Sequence, residues 1–585
     1  MSTPSSPVSV ISTPTKNTYT ISKNISGLFS IGRSAKASEY NNLSTISSIN
    51  GINNGVAVNF KLANGDVTFN NGSADGSSPA LVKGTNGGVV FDVSAATAAL
   101  NLVNNRNAVI EATNGAAISL GAGVLSTSVR INNAGTINGG LMSLSPGSQA
   151  RTVAINLGQT GGATTTTSII SGDNINTSTI GSVANTYPGR AVFNTGTING
   201  DIIGNGSITL AGGVVNGDLG RTATLGYSQQ INVSGDSILN GSIKNTLSQG
   251  TAAKVAFTTD STLTVGVGGS VYANVTTANN GQGNLVLNGA NANAGYTIGS
   301  EGASLKSLTF ASDVSTVGGS VYANTTTVAA GAVLNGGAKF GGGLTVDGTM
   351  NVINNGAWST SGTITINGNV NVANGYFAGT GAGMVVNGTL NLKDSTAYAW
   401  DWGTPAHTWA SYALSVGSGG MVSGSGTIFN LSNNAGTIVA SGGTLKIAAS
   451  HVSNDLGGKQ VIDNNSVLEL VNTASSVDVS FGVSSVLRVD QGSGVNAATL
   501  RAFDFDDTID FQNFNISNVK LTTVANDQGS TVLNVQDGAI SSKVTLFGQY
   551  AAAGFGMADN GHGGSALTYT PPQSQQIAKL VSPLA

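Results

Sequence analysis

Two short stretches of this sequence hold the residues best suited to chemistry or recognition. The first, AYAWDWGTPAHTWASYAL, carries Tyr398, Trp400, Asp401, Trp402, His407, Trp409 and Tyr412, and with them three of the chain's four tryptophans. Indole and phenol rings beside a carboxylate suit stacking on the apolar faces of sugar rings, or anchoring a partner. The same residues also fit an inserted loop or hairpin that packs its own small core, because Trp400 and Trp402 alternate as one strand face would. The second stretch, Phe503-Asp504-Phe505-Asp506-Asp507-Thr508-Ile509-Asp510, offers the carboxylates of Asp504, Asp506, Asp507 and Asp510. A hard cation such as Ca²⁺ takes several such oxygens from a flexible turn. A solvated turn between strands, in which Asp accepts backbone N–H bonds, is the simpler reading and is preferred.

Catalytic constellations are harder to assemble. The three histidines, His407, His451 and His562, are far apart in sequence, and there is no cysteine, which removes thiol nucleophiles and thiolate metal sites. Glycosidases need two carboxylates at a set separation, whereas the central region offers mainly Asp347 and Asp394. No GxSxG elbow, phosphate-binding loop or HExxH motif occurs. The sequence therefore assigns no catalytic residue and predicts a protein that is not an enzyme.

The elements that must position these residues are written in a repeat. Three nine-residue strings, LTVDGTMNV from Leu344, ITINGNVNV from Ile364 and MVVNGTLNL from Met384, start twenty residues apart. Each reads as two short alternating strands on either side of an Asx-Gly turn. One such unit cannot bury its own apolar row and must stack on the next, which is the mark of a solenoid. A hairpin fold also uses Asn-Gly turns, but it does not predict the same turn at the same phase three times over. Looser echoes, TINGDI from Thr197, VVNGDL from Val214 and ILNGSI from Ile238, extend the pattern upstream. The fold class expected is all-β: a right-handed parallel β-helix of about 20 residues per coil, which at the ~4.8 Å strand spacing makes a rod on the order of 120 Å.

Composition agrees. Charged residues are 9% and hydrophobic residues 40% of the 585, the reverse of a disordered chain. The 83 glycines have no triplet period and accompany only 10 prolines, so collagen is excluded and glycine serves turns. A formal net charge of −4 with no basic run argues against nucleic acid as a partner. No apolar segment approaches the ~20 residues of a membrane-spanning helix.

From about Gly442 the texture changes to longer strands with charged turns. Gly442-Gly443-Thr444-Leu445, Ser466-Val467-Leu468-Glu469-Leu470, Asp506-Asp507-Thr508-Ile509-Asp510-Phe511 and His562-Gly563-Gly564-Ser565 resemble the closing unit of autotransporter-associated β-helix passengers and related large secreted bacterial surface proteins. The resemblance covers about the last 140 residues closely and the remainder in style. It implies an extracellular protein of the bacterial surface serving adhesion, surface coating or biofilm structure, with itself or a cell-surface glycan or lipopolysaccharide as partner. Two marks of that family, an N-terminal secretory signal and a C-terminal β-barrel translocator, are not seen in the sequence, and the expected address is a type I secretion signal after Pro571-Pro572. The organisation expected is an N-terminal arm or cap over 1–40, a solenoid over 41–440 with an aromatic insertion near 394–412, a C-terminal β module over 441–570 and a tail over 571–585. A polysaccharide-binding or polysaccharide-degrading β-helix protein is the alternative.

Overall fold

The computed structural model describes residues 8–572 other than 32–35, 49–54, 62–65, 93–99, 106, 114–117, 121–127, 134–135, 139–142, 145–151, 158–190, 195–196, 200–201, 204–206, 222–229, 246–252, 293–295, 381, 400–412, 449–455, 472–476, 491–495 and 527–528. The described residues are all-β apart from 3₁₀ backbone at Gly55 and in the turn Ala552–Gly554. The chain divides into two compact units, Met1–Thr309 and Phe310–Ala585. Both are built from short strands that pair in parallel with the strand one coil earlier and one coil later, which gives each a solenoid-like character.

In the first unit, Val8–Ser12 runs antiparallel to Lys16–Ile21, and Lys16–Ile21 then pairs in parallel with Ala37–Asn42. Three strands make a coil. Val67–Asn71, Leu81–Gly84 and Gly87–Asp92 are followed by Leu100–Asn104, which lies in register on Val67–Asn71. The alternation of these strands puts Val67, Phe69, Val82, Val89 and Leu102 inside, each fully buried. A polar row is buried with them: Asn71 Nδ2 donates to Asn104 Oδ1 at 2.9 Å, and Asn42 Nδ2 donates to Asn71 Oδ1 at 2.8 Å. An amide that both gives and takes a hydrogen bond along the stack satisfies groups that would otherwise be costly to bury.

The second unit contains the twenty-residue repeat. Leu344, Ile364, Met384 and Leu414 occupy successive strands in register, as do Val346, Ile366, Val386 and Val416, and all eight are buried. The outward face of the neighbouring ladder is polar and equally regular. Asn351, Asn371 and Asn391 each donate Nδ2 to the residue one coil before, at 2.8 Å throughout, and Ser423 Oγ donates to Asn391 at 2.7 Å. The steps along this row are 16, 20, 20 and 32 residues, so the coil keeps its cross-section while connections of different length leave it. The third ladder closes at Leu431–Asn434. From Thr437–Ala448 onward each coil has two strands, and the parallel stack ends in antiparallel pairs: Lys520–Asn526 on Ser530–Asp537, and Phe555–Asp559 on Ser565–Tyr569.

Candidate functional site: an aromatic column and a charged column on the second unit

Tyr398 lies near the end of the strand Thr389–Ala399, opposite Ala378 of the strand Tyr376–Gly379. Ala378 in turn lies opposite Trp358 of Gly356–Ser359. These positions face outward, because their neighbours Ala357, Phe377 and Ala397 are all fully buried inside. Tyr376 sits between the other two rings: its centroid is 5.8 Å from that of Trp358 and 6.1 Å from that of Tyr398, with planes tilted by 38° and 31°. The three half-buried rings so cover Ala378 that it is fully buried on an outward face. Gly356 makes room for the column, since a Cβ there would stand 1.9 Å from Tyr376 Cζ. Burial, and then the neighbouring Tyr376, raise the Tyr398 hydroxyl above its ordinary pKa. Lys339 pairs with Trp358 at one end and carries its ammonium 5.2 Å from the centre of the Tyr322 ring, while Phe429, 41% exposed, pairs with Tyr398 at the other.

Of the sequence candidates, this column contains Tyr398; Trp400, Trp402, His407 and Trp409 lie outside the described residues. Trp358 and Tyr376 were missed because they are distant from the tryptophan-rich stretch in sequence. Trp358 does stand two twenty-residue steps before Tyr398, but the step between holds Ala378, and Tyr376 shares its register with Gly356 and Thr396 instead.

The acidic stretch forms a hydrogen-bonded corner. Asp507 is buried, and its carboxylate accepts from the Ser485 N–H at 3.0 Å, the Ser485 hydroxyl at 3.1 Å and the Asp504 N–H at 2.9 Å. Burial raises its pKa, against these bonds. Asp506 accepts from the N–H and hydroxyl of Ser484, and Asp504 from the N–H of Phe505. Asp510 points elsewhere, to Arg488 Nε at 3.0 Å, Gln512 Nε2 at 2.6 Å and Asn560 Nδ2 at 2.7 Å. Among the described residues, no three carboxylate or imidazole groups converge as a metal cage.

Asp510 instead ends a column that the sequence reading did not find. Lys446, Glu469, Arg488 and Asp510 are register partners on four successive coils. Their charges alternate, with Lys446 Nζ 2.6 Å from Glu469, and Arg488 3.3 Å from Glu469 and 3.0 Å from Asp510.

No family model, curated protein or solved structure matches this chain. Its two columns are therefore read from their own chemistry. The aromatic rings neighbour one another at tilted angles on a half-buried outer face, while the charged column neutralises itself along the stack. Both can carry contacts with another surface, and neither places a nucleophile beside a base.

Proposed function

We propose that this chain is an extracellular bacterial surface protein, a coat component or adhesin, whose coils wind as a right-handed parallel β-helix. It acts through many weak contacts and through association between copies. The observation that carries the reading is the outward amide and hydroxyl row Asn335, Asn351, Asn371, Asn391 and Ser423, the same chemistry offered again at every coil. Repetition on a stiff support turns weak contacts into avidity. The resemblance of the C-terminal 140 residues to secreted passengers supports a bacterial surface location, with a cell-surface glycan or lipopolysaccharide as partner. The proposal assigns no catalytic residue and no obligatory cofactor.

A polysaccharide-binding role is the second reading, favoured by the aromatic column of Trp358, Tyr376 and Tyr398. The test is fractionation of producing cells with an antibody to the full chain, followed by electron microscopy of the labelled surface. Label in an ordered layer or in fibres outside the cell is the expected result. Label confined to the cytoplasm, or release of oligosaccharide from extracted glycan by the purified chain, overturns the proposal.

A further inference from the structure

The first unit carries a cleft of about 500 Å³ on the outward face of its longest ladder. Its floor is a row of register partners on four successive coils, Thr20, Asn41, Asn70 and Val103. Glu39 and Leu43 flank the row, and the turn after Gly72 forms one wall. That wall is braced. Asp75 accepts hydrogen bonds from Ser73 Oγ at 2.6 Å, Ser77 Oγ at 2.7 Å and the Ser77 N–H at 2.9 Å, while Asn105 Nδ2 donates to the Gly72 carbonyl at 2.7 Å. The cleft is therefore shaped before any ligand arrives, and its size is that of a small-molecule site.

Its chemistry selects among ligands. A cation is disfavoured, because Glu39, the one carboxylate in the lining among the described residues, is already paired with Lys16 and accepts from Asn70 Nδ2 at 2.9 Å. An anion is disfavoured, because among the described residues no basic side chain lines the cleft. A purely apolar molecule would strip water from the amides and hydroxyls and return nothing. A polyhydroxylated molecule satisfies both halves of the lining. Among the described residues, the Asn41 amide accepts from Asn70 at 2.8 Å and donates to none, and the Thr20 hydroxyl makes no hydrogen bond, so both remain to meet ligand hydroxyls. Leu43, Ala74 and Val103 offer an aliphatic strip to the C–H face of a sugar ring.

We infer that this cleft is a binding subsite for an uncharged saccharide. The inference deepens the surface-contact reading and rests on it for where the sugar is met. The test is isothermal titration of the full chain with cellohexaose, maltohexaose and a mannohexaose, with a sulfated hexasaccharide as the charged probe. At least one neutral hexasaccharide is expected to bind and the sulfated one to bind at least tenfold more weakly. Asn41→Leu with Thr20→Val is expected to weaken neutral binding at least tenfold. Ala74→Trp, which fills the cleft from its wall and leaves the ladder intact, is expected to do the same. Binding unchanged in both variants, preference for the sulfated probe, or no binding by the full chain overturns the inference. A chain that fails here and still labels the cell surface leaves the surface reading standing, so the two fail separately.

Discussion

Gly348, Gly368 and Gly388 stack at one corner of the repeat, and what they lack is what the stack requires. A Cβ on Gly368 would stand 2.1 Å from the Gly348 carbonyl oxygen, and one on Gly388 would stand 2.2 Å from that of Gly368. The Asx-Gly pairs read, in sequence, as turns, where glycine commonly takes left-handed backbone. In the structure none of the three lies in that region, and the left-handed corner is taken by Asn354, Asn374 and Asp394, with φ of 52°, 51° and 49°. The glycines serve close approach between coils, which a single string cannot reveal because the clash is with the string twenty residues earlier. Gly368→Ala is expected to cost about 1–3 kcal/mol, measured by denaturant unfolding, and an unchanged midpoint would contradict the packing described. A second residue-scale effect lies in the alkaline range. Burial, and then the stacked Tyr19, push the Tyr40 hydroxyl up to about 12, and burial, followed by Asp504, pushes Tyr550 up to about 12. A folded pKa above the unfolded value of about 10 leaves their contribution intact below pH ~10 and removes it as the pH rises toward 12. The melting temperature is expected to fall through that window, and Tyr40→Phe with Tyr550→Phe is expected to flatten the fall.

At the scale of the strand, the apolar alternation of the three nine-residue strings was legible: twelve of their thirteen apolar residues, all but Val385, are buried. The parallel pairing of those strings at the twenty-residue offset was legible too. The columns on the outer faces were not, for a physical reason. Trp358 meets Tyr376, and Lys446 meets Glu469, only after the coil length has set the register, and the coil length varies with each connection. The turn reading of the acidic stretch rests on Asp507, whose oxygens are taken by backbone and hydroxyl donors. The charged column makes its own prediction. Glu469 is well shielded, its side chain 13% exposed, between the cations of Lys446 and Arg488. Glu469→Ala leaves two cations facing each other across one coil and is expected to cost about 1–2 kcal/mol, less than a fully buried pair because solvent screens both partners. The difference between wild type and variant should shrink in 1 M salt, where the screening length falls to about 3 Å. A difference independent of salt would mean that lost packing, rather than charge, carries the effect.

For the molecule as a whole, the governing fact is that each coil touches the coils before and after it, so stability is a chain of neighbour terms rather than one shared core. An absent cysteine is no handicap in such a design, since cohesion comes from ladders of backbone pairs and inward apolar columns repeated many times. It also means that damage should be local. Phe377 is fully buried and pairs with Ala357 on one side and Ala397 on the other. These small neighbours cannot fill the space that Phe377→Ala would leave, so a cost of about 3–5 kcal/mol is expected. In a globule that loss would lower protection everywhere. Here hydrogen exchange should speed up in Gly356–Ser359, Tyr376–Gly379 and Thr389–Ala399 and fade with distance along the ladder, leaving Val486–Asp490 close to wild type. Equal loss of protection in all these strands would show one cooperative core, and would remove the physical basis for treating the surface as a row of independent, repeated contacts.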